Sequence, residues 1–206
     1  MPENRKQQHR LDPRHPLVID TRELGRRAGS MRQMRFPVPA PDDLRLELIR
    51  VPTGSDVDLD LRLESVMEGV LVSGTATASV LGECGRCLEP VSDTLTVTLQ
   101  ELFAYPESTT DTTAEDDEAA RMEGDFLDLE PTLRDAVVLA LPMTPVCRQD
   151  CSGLCAGCGE RLDDLPADHR HDGGDLRWSA LQELLDHPTD QHGDSRTDPH
   201  THDLEK

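Results

Sequence analysis

Six cysteines fall in two short runs, and no other feature constrains the fold of this chain so tightly. The later run reads Val146-Cys147-Arg148-Gln149-Asp150-Cys151-Ser152-Gly153-Leu154-Cys155-Ala156-Gly157-Cys158-Gly159, that is C-x3-C-x3-C-x2-C-G. The earlier run is Gly82-Glu83-Cys84-Gly85-Arg86-Cys87-Leu88, a second C-x2-C. Structural zinc takes four soft ligands in a tetrahedron, with sulfur at about 2.3 Å, and a C-x2-C turn brings two thiolates to one side of an ion. Glycine beside such a turn lets the backbone fold so that amides face the sulfurs. Cysteines in close motifs, in a chain expected to carry no export signal, favour a metal over disulfides. Two quartets satisfy the spacing. One is Cys147, Cys151, Cys155 and Cys158. The other joins Cys84 and Cys87 to Cys155 and Cys158 in a split ribbon. The expected cofactor is a structural Zn2+. A redox role needs a helix after the C-x2-C, and neither motif is followed by a helical pattern.

The rest of the chain reads as α+β. Leu44, Leu46 and Leu48 alternate with polar residues, as do Val57, Leu59, Leu61 and Leu63. Residues 70–81 are β-branched and small, and Leu95, Val97 and Leu99 alternate with threonines. Period two with one polar face predicts antiparallel strands, here a meander or small open barrel over residues 37–105. Residues 1–36 read as an extended basic arm, with a short strand near Leu17–Thr21. Residues 106–127 are acidic and polar, too poor in apolar surface to offset their ordering entropy, and read as a disordered loop. Residues 128–185 hold a helix, the cysteine knuckle and a short second helix from Trp178 to Leu185. In the first helix Asp128 or Glu130 is the candidate cap, Pro131 suits the first turn, and Leu133, Ala136, Val137, Ala140 and Leu141 share a face. Residues 186–206 read as a disordered tail.

Charge narrows the partners. The net charge is −20. Residues 1–35 carry nine Lys/Arg against four Asp/Glu, so the acidity lies in the remainder. Such a body repels phosphate and suits a basic protein. The candidate RNA contacts are therefore Arg22, Arg26, Arg27, Arg32 and Arg35 of the arm. Hydrophobic residues make up 35% of the chain, below the usual value of about 45–50%, which implies a modest core. No apolar run approaches the roughly 18 residues of a membrane span, and a cytoplasmic location is expected. No P-loop, G-x-G-x-x-G, G-x-S-x-G or H-E-x-x-H motif is present. Four cysteines would also fill the coordination sphere of zinc, leaving no position for a catalytic water.

These motifs together resemble the YceD family, the large ribosomal RNA subunit accumulation proteins. The resemblance is carried by Leu63 to Val72, by Cys84-Gly85-Arg86-Cys87-Leu88-Glu89-Pro90, by Asp128-Leu129-Glu130-Pro131 and the helix to Pro142, and by Cys147 through Gly159. Asp175-Leu176-Arg177-Trp178 is similar to the family's closing D-P-R-W, with leucine in place of proline. The likeness spans about residues 17–185, and the actinobacterial type is the nearest. It implies a non-catalytic role in 23S rRNA accumulation and large-subunit biogenesis. The implied partners are the large-subunit rRNA precursor, a basic ribosomal protein or a nuclease. Some relatives lack the cysteines, which implies that the metal staples the fold. Others carry further cysteines after the C-G element, where this chain has His169 and His171 as candidate substitutes. Two other functions stay open: a metal-dependent RNA-processing enzyme using Asp116, Asp117 and Glu118, and a general protein-interaction adaptor.

Overall fold

The alternating segments do pair as strands, and one long strand organises them all. A computed structural model describes residues 11–108 and 120–171. The chain divides into two units, residues 1–164 and residues 165–206.

The first unit holds β1 (Val18–Asp20), β2 (Met31–Pro39), β3 (Ile49–Arg50), β4 (Asp56–Ser65), β5 (Gly69–Glu83), β6 (Pro90–Ala104), β7 (Phe126–Asp128) and α1 (Glu130–Ala140). β5 is the spine of a five-stranded antiparallel sheet. β6 pairs with it along its whole length, from Gly69↔Ala104 to Glu83↔Pro90. On its other edge β4 pairs over Val70–Ala78 and β3 over Leu81–Gly82. β2 lies outside β4. A glycine is required where β5 meets β3, because a Cβ on Gly82 would stand 2.3 Å from the Leu48 carbonyl oxygen.

The period-two reading explains the core. In β4, Val57, Leu59, Leu61 and Leu63 are buried while Asp56, Asp58, Asp60 and Arg62 are exposed. Their inner face joins Val72, Ala76, Val97, Leu99 and Phe103 in a single hydrophobic cluster. Leu133, Val137 and Leu141, from α1 and its C-cap, complete that cluster, as do Leu17, Ile19 and Leu127. α1 has Leu129 at its N-cap and no side-chain cap. Asp128 Oδ1 accepts a hydrogen bond from Glu130 N at 3.0 Å instead. Ala140, expected on the apolar face, is exposed.

Two elements differ from the sequence reading. The basic segment expected as an extended arm holds the expected short strand as β1 but also supplies most of β2. β1 pairs antiparallel with the distant β7, from Val18↔Asp128 to Asp20↔Phe126; β2 pairs with β4 from Met31↔Glu64 to Pro39↔Asp56. Conversely, Leu44 to Leu48 is not a strand. Only Ile49–Arg50 joins the sheet, since β4 already occupies the edge of β5 that a longer strand would need.

The acidic stretch expected as a loop is described only at its ends. There Ala104 N donates to Ala120 O, and Met122 N to Ala104 O, both at 2.9 Å. Residues 109–119, the expected helix Trp178 to Leu185 and the tail 186–206 lie outside the described residues.

Candidate metal centre

The hairpin of β5 and β6 turns at Cys84-Gly85-Arg86-Cys87-Leu88-Glu89. Two backbone bonds shape this turn: Cys84 N to Glu89 O at 2.8 Å, and Leu88 N to Cys84 O at 2.9 Å. Pro142 and Pro145 stop the helical path after α1 and carry the chain back across the turn. Gly85 N donates to Pro145 O at 2.8 Å, and Leu154 N to Arg86 O at 3.2 Å. The Arg86 guanidinium donates to the Gln149 and Cys151 carbonyls at 3.2 and 3.0 Å. Backbone and arginine contacts thus hold two segments sixty residues apart in register.

That register brings Cys84, Cys87, Cys147 and Cys151 together, with all four sulfurs within 4.8 Å of one another. Cys84 and Cys151 sulfurs are 3.8 Å apart, and Cys87 and Cys147 sulfurs 3.6 Å. Both are far beyond a bonded S–S distance of about 2.0 Å. Four sulfurs around zinc at about 2.3 Å stand about 3.8 Å from each other along a tetrahedron edge, which these separations match. Cys84, Cys87 and Cys151 are buried and Cys147 is exposed. Val91, Val146 and Leu154 pack against the buried three.

Neither quartet expected from spacing is gathered at one point. The cluster takes Cys147 and Cys151 from the first and Cys84 and Cys87 from the second. Cys155 and Cys158 form their own turn a few residues on. Spacing alone does not reveal this, because either C-x2-C is a competent half-site and the choice depends on which segment crosses the hairpin. In the second unit His169 and His171 face each other, with ring nitrogens 2.9 Å apart.

The thiols of Cys84, Cys87 and Cys147 do not behave as independent groups. Burial pushes Cys84 up, but hydrogen bonds from the Cys147, Arg86 and Cys87 amides and from the Cys87 thiol outweigh it and bring it down to about 6. Burial and the neighbouring sulfurs of Cys151, Cys87 and Cys84 push Cys147 up to about 12. One thiolate is favoured in this pocket of amides, and further ones are opposed by like charge. A divalent cation would relieve that opposition.

The comparisons with known proteins bear on this same region. The family described as "Large ribosomal RNA subunit accumulation protein YceD" matches residues 72–185, which include all six cysteines. The chain belongs to the YceD family. Relatives extend the likeness over more of the chain. An uncharacterized protein of Mycobacterium tuberculosis is 51% identical over 170 residues, covering 82% of each chain. One from Mycobacterium leprae is 45% identical over 170 residues, covering 82% of this chain and 78% of its own. No solved structure matches.

Within this YceD-family chain four of the five arginines expected to meet RNA face carboxylates. Arg22 forms a bidentate pair with Asp20, whose carboxyl the guanidinium holds below its usual range. Arg26 pairs with Glu107 and Asp125, and stands 4.9 Å over the Tyr105 ring. Arg32 reaches Glu23 at 2.8 Å, and Arg35 meets Asp60. Arg27 is exposed and has no ion pair among the described residues. These paired arginines largely cancel local acid charge, and for Arg35 the partner comes from laying β2 beside the acidic strand β4, which residue order does not reveal.

One residue of the first knuckle is strained. Leu88 follows the second cysteine with φ 61°, where Gly159 follows Cys158 with φ 76°. A left-handed backbone costs a branched residue about 1–2 kcal/mol, partly offset in a Gly variant by unfolded-chain entropy of about 0.5–1 kcal/mol. Leu88 is 57% exposed, so little packing is at stake. Leu88→Gly is therefore expected to raise stability by up to about 1 kcal/mol. A denaturant midpoint that falls instead would show that the Leu88 side chain contributes more than its exposure suggests.

Proposed function

We propose that this chain is a non-catalytic factor in the accumulation of large-subunit ribosomal RNA, with a structural zinc held by Cys84, Cys87, Cys147 and Cys151. Family membership carries the first part, and the donor set carries the second. Four sulfurs at tetrahedral spacing suit zinc and leave no position for water, so the ion would fasten rather than catalyse. Its work would be to join the β5–β6 hairpin to the segment after α1. No described helix is long and apolar enough to cross a membrane, and a reduced thiol cluster of this kind belongs in the cytoplasm.

The acidic balance and the paired arginines favour a basic protein as the direct partner, either a ribosomal protein or a nuclease acting on the rRNA precursor. Direct RNA contact would then fall chiefly to Arg27 and to the residues before β1. Depletion in a native host tests the role. The ratio of 23S to small-subunit rRNA should fall and be restored by the wild-type chain. An unchanged ratio would remove the proposal. Affinity capture under the same conditions should recover large-subunit precursors, and recovery of proteins unconnected with ribosomes would favour an adaptor.

A further inference from the structure

The turn that carries Cys155 and Cys158 repeats the turn that carries Cys84 and Cys87, bond for bond, at an offset of 71 residues. In the first, Cys84 N donates to Glu89 O and Leu88 N to Cys84 O. In the second, Cys155 N donates to Glu160 O at 2.7 Å and Gly159 N to Cys155 O at 2.8 Å. The flanking residues pair antiparallel in both, Glu83↔Pro90 and Leu154↔Arg161. The residue after the second cysteine has positive φ in both. This geometry turns the side chains of residues i and i+3 to one side, as metal knuckles require. The second copy is also better adapted to it, since glycine takes the left-handed position without strain.

Two facts separate this turn from the centre already described. The cluster of Cys84, Cys87, Cys147 and Cys151 has its four sulfurs without it, and four ligands close a structural zinc site. Cys155 is half-buried and Cys158 exposed, so both are open to an incoming ion. The segment between the two sites, Ser152 to Leu154, is held by Leu154 N on Arg86 O, which fixes the second turn to the first without shared sulfurs.

We propose that Cys155 and Cys158 are two ligands of a second divalent metal ion, zinc by class, so that the chain binds two ions. Its remaining donors are not thiolates of this chain, since all six cysteines are then assigned. The test measures zinc per chain on the full-length protein, together with Co2+ substitution, whose sulfur-to-metal absorption scales with the number of thiolates bound.

The wild type should hold two ions and six thiolates. The Cys155→Ser/Cys158→Ser variant should hold one ion and four thiolates. The Cys84→Ser/Cys87→Ser variant should lose the other ion and keep the second. One ion in the wild type, or an unchanged ratio and cobalt spectrum in Cys155→Ser/Cys158→Ser, would overturn the second site. An unchanged ratio in Cys84→Ser/Cys87→Ser would instead remove the first, so the two readings fail separately. If a serine variant does not fold, blocking of Cys155 and Cys158 by a thiol reagent, mapped with and without added zinc, decides the point. Protection of both by zinc supports the site, and equal labelling overturns it.

Discussion

Replacing Cys84 with serine is expected to remove one metal ion per chain and to lower the melting temperature by roughly ten degrees, on the basis of about 2–4 °C per kcal/mol for a chain of this size. Cys84 is fully buried at the end of β5. Serine offers a harder oxygen in place of the sulfur, and three thiols remain crowded with no cation among them. Metal binding to the folded state alone is a folding free energy, lost when the site is broken. Chelation of the wild-type protein should lower the melting temperature at least as far, and chelation of the variant should cost only what the second ion contributes. Calorimetry with metal analysis decides it. A wild-type melting temperature unmoved by complete metal removal would mean that the Arg86 and backbone contacts suffice to hold the crossing. In that case the ion would not be a staple.

The second large effect lies in the core. Leu133→Ala should destabilise the first unit by about 2–5 kcal/mol, since it deletes a buried side chain and leaves a cavity. Leu133 is fully buried in the cluster that unites α1 with the sheet and with β1 and β7. Leu139, on the same helix, is 86% exposed. Leu139→Ala should change stability by no more than about 0.5 kcal/mol. Equilibrium denaturation of the two variants side by side checks both values. Equal effects would mean that α1 does not pack as described.

Much of this architecture can be read from residue order because the buried strands alternate cleanly. β4, β5 and β6 all follow from it, and so does α1, whose apolar spacing and Pro131 mark its start. β2 escapes such a reading for a physical reason. It lies at an edge, its residues are mostly half-buried or exposed, and Arg32, Arg35, Pro37 and Pro39 give it the look of an unpacked arm. Leu44 to Leu48 misled in the opposite sense, since alternation reports a face to bury but not a free strand edge to pair with. The cysteines show the same limit. Spacing identifies a half-site, while the partner half depends on a chain crossing set by Gly85 on Pro145 and Arg86 on Leu154. Those contacts are sixty residues apart in sequence and leave no local signature.

The paired bonds of Ala104 with Ala120 and Met122 have a practical consequence. They clamp the two ends of the acidic stretch together, so the sheet is indifferent to how much chain runs between them. Closing a longer excursion costs only about 0.6 kcal/mol per doubling of its length. Relatives can therefore lengthen or shorten this stretch with little effect on stability. For the same reason it is the place to graft an epitope or a fluorescent reporter while leaving the cysteine centres and the β5–β6 hairpin untouched.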